Sequence, residues 1–153
     1  MKLRRASPTE ARNQATWIVA MEPWHSLGYM ATPLGRYLRR MAREDQVLVA
    51  EHKRQVLGIV VFQPDFLLGR FIALLAVRPE AGGRGVGRAL VERMEKATFA
   101  KRRWLYVSSD SANQPAVRFY RKLGFARVAR LPGLIRDGRT EILWRKQRQS
   151  SHP

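Results

Sequence analysis

The sequence predicts a mixed α/β fold built on one central sheet, and three observations carry that reading. Short runs of β-branched and aliphatic residues alternate along the chain with segments whose apolar residues recur at helical spacing. Their order is one strand, two helices, three strands, a helix, a strand, a helix and two strands, which means about six to seven strands flanked by about four helices. No internal repeat and no linker long enough to divide the chain interrupts that order. With 153 residues, 45% of them hydrophobic, the chain is expected to form a single domain over residues 1–146. The polar stretch 147–153 is expected to be a disordered tail.

The elements follow in order. Ser7-Pro8-Thr9-Glu10 reads as a helix start, with a serine cap, proline in the first helical position and glutamate three residues after the cap. Ala11, Ala15 and Ile18 carry that helix until Pro23 interrupts. Thr32-Pro33 starts a second helix with the stripe Leu34, Tyr37, Leu38 and Met41. Val47–Glu51 and Gln55–Gln63 read as a hairpin around His52-Lys53-Arg54, ended by Pro64-Asp65. Arg70–Val77 is apolar enough to be a central strand. A glycine-rich turn follows, then a helix over 86–100 and a strand at Trp104–Ser108. Asn113 caps the next helix, and Gly124 sits where a left-handed cap ends it. Ala126–Arg130 and Thr140–Lys146 close the series as strands.

Composition narrows the function. There is no cysteine, which excludes a disulfide frame, a thiolate zinc site and a cysteine nucleophile. His25, His52 and His152 stand at no metal-ligand spacing, so no metal is expected. The uninterrupted apolar runs are only a few residues, such as Ile59–Phe62 and Phe71–Val77, far short of the roughly 18 that cross a bilayer. Met1-Lys2-Leu3-Arg4-Arg5-Ala6 lacks the apolar region of a signal peptide, and the expectation is a cytoplasmic protein without a membrane partner. The net charge of +17 is spread along the whole chain, and 23 of the 29 basic residues are arginine. Spread charge of this kind does not make nucleic acid the main partner.

The most specific local signal is Val77-Arg78-Pro79-Glu80-Ala81-Gly82-Gly83-Arg84-Gly85-Val86-Gly87-Arg88. A strand feeds a turn whose glycines let successive amides converge, and the turn opens a helix. Such a device cradles phosphate. The spacing is G-x-x-G-x-G, which matches neither the nucleotide-triphosphate loop nor the dinucleotide fingerprint. Downstream lies Asn113-Gln114-Pro115-Ala116-Val117-Arg118-Phe119-Tyr120-Arg121-Lys122-Leu123-Gly124-Phe125.

Together the two segments resemble the GCN5-related N-acetyltransferase (GNAT) superfamily. Its helix pattern N-x-x-A-x-x-F-Y-x-K-x-G-F is met here at every fixed position. Gly82 stands where the turn usually carries glutamine or arginine, which leaves the pyrophosphate to the backbone with Arg84 or Arg88 adding charge. The resemblance implies the GNAT fold, acetyl-coenzyme A as cosubstrate and an amine acceptor, and it lies loosely toward enzymes of the ribosomal-protein-alanine type that acetylate protein N-termini. It implies that Leu75, Ala76 and Val77 pair with the pantetheine arm and that Gly82, Gly83, Arg84, Gly85, Val86, Gly87 and Arg88 hold the pyrophosphate. Asn113 would also reach the cosubstrate, and Tyr120 would protonate the departing thiolate.

The general base has three candidates, Glu22, His25 and Glu141. Trp24, Tyr29, Leu134 and Ile135 could line the acceptor slot. Two alternatives stand beside the transferase, namely a coenzyme A-binding module without turnover and a basic nucleic-acid-associated protein. Monomer and homodimer are both compatible with the sequence.

Overall fold

The computed structural model describes residues 1–149. Seven strands form one mixed sheet in the order β1-β2-β3-β4-β5-β7-β6. They are β1 Lys2–Arg5, β2 Val47–His52, β3 Gln55–Phe66, β4 Gly69–Val77, β5 Trp104–Asp110, β6 Ala126–Pro132 and β7 Thr140–Gln147. The helices are α1 Pro8–Asn13, α2 Ala15–Val19, α3 Ala31–Arg43, α4 Val86–Phe99 and α5 Gln114–Lys122. The chain gathers into two compact units, residues 1–62 with 73–91, and residues 63–72 with the chain from Glu92 onward.

In the first unit β1, β2 and β3 pair antiparallel, and α1, α2 and α3 bury Ala11, Ile18, Leu34 and Leu38 with Val47, Val49, Ile59 and Leu74. Ser7 caps α1 as the sequence predicts, its Oγ accepting from the Glu10 amide at 3.1 Å. The Glu10 carboxylate also accepts from the Ser7 backbone, closing the capping box, but this is the weaker of its contacts. It takes two hydrogen bonds from Arg4 at 2.7 Å, and Arg4 also reaches Glu51. A charged guanidinium binds a carboxylate more strongly than a single backbone amide does. The expected first helix is broken at Gln14, which separates α1 from α2. Helix α3 begins at Ala31 with Met30 as its cap residue, so Thr32 lies inside it.

Strand β3 runs through Pro64 to Phe66 instead of ending there. Proline's fixed φ suits an extended chain, and it costs a ladder bond only where its missing N–H would point to a neighbour. The β2–β3 turn is tight, with Lys53 and Arg54 at φ 49° and 64°. Two residues of positive φ match the twist of a two-residue hairpin even without glycine.

In the second unit β5 pairs parallel with the start of β4 and antiparallel with β7, which also pairs with β6. Tyr106 bonds the Leu67 carbonyl at 3.1 Å and meets Phe66 edge to face. The β4–β5 seam is close at its start, because a Cβ on Gly69 would collide with the Trp104 carbonyl. Gly69→Ala must therefore push the two strands apart. The expected cost is about 1–3 kcal/mol, read as a lower urea midpoint with unchanged slope. β7 extends to Gln147, one residue into the expected tail, and residues 150–153 of that tail lie outside the described residues.

Candidate active site

In the first unit the site candidates follow β4. The ladder to β5 runs only from Gly69↔Trp104 to Ile72↔Val107, so Ala73–Val77 continue beyond it. Arg78 anchors the strand end. Its amide donates to the Leu57 carbonyl at 2.8 Å, its Nε donates to the Val56 carbonyl at 2.7 Å, and its guanidinium lies 5.0 Å from the Trp17 ring centroid. A 3₁₀ turn at Pro79–Ala81 then delivers the chain to Gly82.

Gly83 and Gly85 both have φ +79°, and a Cβ on either would meet nothing within 4 Å. These glycines are needed for backbone conformation, not for lack of room. Helix α4 starts at Val86, and its first internal bond runs from the Ala89 amide to the Gly85 carbonyl at 3.0 Å. The amides of Val86, Gly87 and Arg88 precede that bond and have no carbonyl within the helix to meet. Arg84 and Arg88 are exposed. Val86 and Leu90 are buried, and they pack over Gly58, where a Cβ would approach Val86 Cγ1 to 2.8 Å. The glycine on β3 thus sets how closely α4 and its turn approach the sheet.

Glu22 and His25 are exposed in this unit. Glu22 Oε1 accepts from the Ser26 amide at 3.1 Å, a local turn contact. Trp24 and Tyr29 pack against the core of α1–α3 and remain partly exposed.

The second unit holds a different cluster. Asn113 Oδ1 caps α5 by accepting from the Ala116 amide at 3.3 Å, and Gly124 ends the helix at φ +91°. Tyr120 is only 5% exposed and lies within 5.2–6.2 Å, centroid to centroid, of Phe119, Phe125 and Trp144. The Trp144 indole donates to Ser109 Oγ at 2.9 Å. Burial pushes the Tyr120 hydroxyl well above the ordinary phenol range, and the Glu141 charge adds to the rise.

Glu141 is 8% exposed and stands on β7 directly opposite Asp110 of β5. Burial, helped by the Asp110 charge, lifts its carboxyl to about 7, against a downward pull from the Ser108 hydrogen bond and the Arg139 charge. Asp110, 1% exposed, accepts from the Ala112 amide at 2.8 Å and stands 2.6 Å from Arg139 Nη2. Leu134 and Ile135 are 58% and 41% exposed in the loop between β6 and β7.

Sequence reasoning singled out Tyr120 and Glu141 but missed Ser108, Asp110 and Arg139, which adjust the acidity that burial gives Glu141. Nothing in the linear pattern signals them, because it is the β5–β7 register that brings Asp110 to Glu141. Among the described residues no group of three metal-ligating side chains occurs.

Residues 43–127, more than half of the chain, match the family model of the acetyltransferase (GNAT) domain. The chain belongs to the GNAT family. An uncharacterized N-acetyltransferase of Methanocaldococcus jannaschii is 31% identical to this GNAT protein over 105 residues, covering 67% of each chain. The peptidyl-lysine N-acetyltransferase YiaC of Escherichia coli is 34% identical over 77 residues, covering 50% of this chain and 47% of its own. The ribosomal-protein-alanine N-acetyltransferase of Brucella melitensis shares the GNAT fold, with a TM-score of 0.75 at 20% identity over 96% of this chain and 99% of its own. The single mixed sheet of about six to seven strands predicted from sequence is thus a seven-stranded GNAT sheet.

Proposed function

We propose that this GNAT protein transfers acetyl from acetyl-coenzyme A to the α-amine of a protein or peptide N-terminus, by direct transfer in a ternary complex, with residues 1–146 serving as the one catalytic domain. The observation that carries the cosubstrate is the turn in which Gly83 and Gly85 adopt φ +79° immediately before α4. Its residues fit a pyrophosphate. The positive-φ glycines turn the chain sharply, the space where their side chains would stand is open, and the turn leads straight into the N-terminus of α4. Gly82 brings no side chain, so Arg84 and Arg88 supply the positive charge, and Asn113 is a further contact. Main-chain groups of Leu75, Ala76 and Val77 lie beyond the β5 ladder and are assigned to the peptide-like pantetheine arm. Acetyl-coenzyme A supplies an activated acetyl thioester.

Protein side chains manage the protons. Glu141, poised at about 7, accepts the proton that the amine must lose. Tyr120, held protonated by its burial, donates toward the departing sulfur. Glu22 and His25 are less suited to the base role, since both are exposed and Glu22 holds a turn amide. The assignment to an α-amine rests on acidity. An N-terminal amine titrates at about 7.7–8.0, within reach of a base poised at about 7, whereas a lysine amine titrates at about 10.4. Trp24 and Tyr29, partly exposed beside the core of the first unit, are assigned to the acceptor's apolar side chains.

The test is thiol release from acetyl-coenzyme A with two peptides, one with a free N-terminus and no lysine, the other Nα-blocked with one lysine. Turnover with the first and not the second is expected. The reverse result would move the acceptor to lysine, and no turnover with either, despite binding, would leave a coenzyme A-binding module. Tyr120→Phe should lower kcat about 10²-fold or more while leaving acetyl-coenzyme A affinity within about twofold, read by calorimetric titration. Unchanged kcat would remove Tyr120 as the donor.

A further inference from the structure

Helices α1, α2 and α3 enclose an open cavity of about 540 Å³ on the first unit, lined by Arg12, Asn13, Thr16, Thr32, Arg36 and Arg39 among others. Gly35 forms part of its lining, and a Cβ there would approach Arg12 Cγ to 3.1 Å, so the missing side chain lets α1 and α3 close on each other. None of the proposed transfer residues lines this groove.

Its chemistry is one-sided. Three guanidiniums line it and no carboxylate does. Ion pairs of this unit engage Arg4, Arg5 and Arg78 among others, and among the described residues none engages Arg12, Arg36 or Arg39. Asn13, Thr16 and Thr32 add polar groups that can meet phosphate oxygens. Beyond the cavity the same face of α3 continues into exposed Arg40 and Arg43, four and seven residues after Arg36.

We infer that this groove binds the phosphate backbone of a single nucleic-acid strand. The charge continues past the cavity, as a strand carrying several phosphates requires and a lone small anion does not. An anionic bilayer fits poorly, because the apolar stripe of α3, Leu34, Leu38, Met41 and Ala42, is buried in the core and has nothing to insert. No aromatic side chain lines the groove, which leaves no platform for bases. The contact is therefore to phosphate and indifferent to sequence. It is independent of acetyl transfer.

The experiment is fluorescence anisotropy of labelled oligouridylate of about 20 nucleotides against salt, starting near 50 mM. Arg36→Gln with Arg39→Gln is expected to weaken binding at least about tenfold and to shallow the log–log salt slope by about 1.4, from about 0.7 per neutralised phosphate on a single strand. Arg93→Gln with Arg130→Gln removes the same charge elsewhere and is expected to change neither by more than about twofold. Circular dichroism and acetyl transfer should be unaltered in both variants. Equal losses in both would reduce the effect to net charge and overturn the site. So would absence of binding near 50 mM salt. Tripolyphosphate binding that depends on Arg36 and Arg39, without strand binding, would overturn the strand in favour of a small polyphosphate. Tighter binding of an oligoglutamate peptide than of the oligonucleotide would overturn it in favour of a protein partner.

Discussion

Replacing Gly85 with aspartate is expected to weaken acetyl-coenzyme A binding at least about 100-fold, or about 2.7 kcal/mol, with little loss of fold. Gly85 sits at φ +79° in open space, and aspartate is among the side chains that tolerate positive φ. The fold therefore survives while a carboxylate enters the region assigned to the pyrophosphate, where juxtaposed like charges cost several kcal/mol. Gly85→Asn separates charge from bulk, since it has the same shape and conformational tolerance. Calorimetric titration should find the asparagine variant within about tenfold of the parent, and aspartate far below it. Equal affinity of all three proteins would place the pyrophosphate elsewhere.

The second large effect is expected at Glu141. Glu141→Gln should lower kcat by about 10²–10³-fold by removing the proton acceptor. The parent enzyme's kcat/KM should rise with pH through about 7 as the carboxyl ionises, and the variant should lack that limb while keeping the one at about 8 that belongs to an N-terminal amine. Stability should run the opposite way. The folded carboxyl titrates at about 7 against 4.5 when unperturbed, so between those values the folded chain holds a proton that the unfolded chain has released. The resulting stabilisation is full below about 4.5 and lost as pH rises through about 7. Glu141→Gln is accordingly expected to raise Tm at pH 8 and leave it nearly unchanged at pH 4.5. A residue kept only for packing would show no such exchange of stability for rate.

Much of this architecture was legible in the residues, because local chemistry specifies local structure. Ser7 caps α1, Asn113 caps α5, and Gly83 and Gly85 take the positive φ that a sharp strand-to-helix turn demands. The points that escaped sequence reasoning depend on partners far along the chain. Glu10 closes its capping box but is held chiefly by Arg4, which β1 brings alongside. Pro64 reads as a strand breaker, yet β3 carries it in extended conformation. Glu141 reads from sequence as one of three interchangeable bases. Its burial on β7, and secondarily the β5–β7 register that sets it opposite Asp110, give it an acidity suited to the task.

The most direct test of the account is amine-dependent thiol release from saturating acetyl-coenzyme A, followed between about pH 5.5 and 8.5 in the parent protein and in Glu141→Gln. The account predicts a peptide-dependent rate that climbs across about pH 7 in the parent and loses that climb in the variant. Rates that need no amine, or an identical profile in the two proteins, would contradict it.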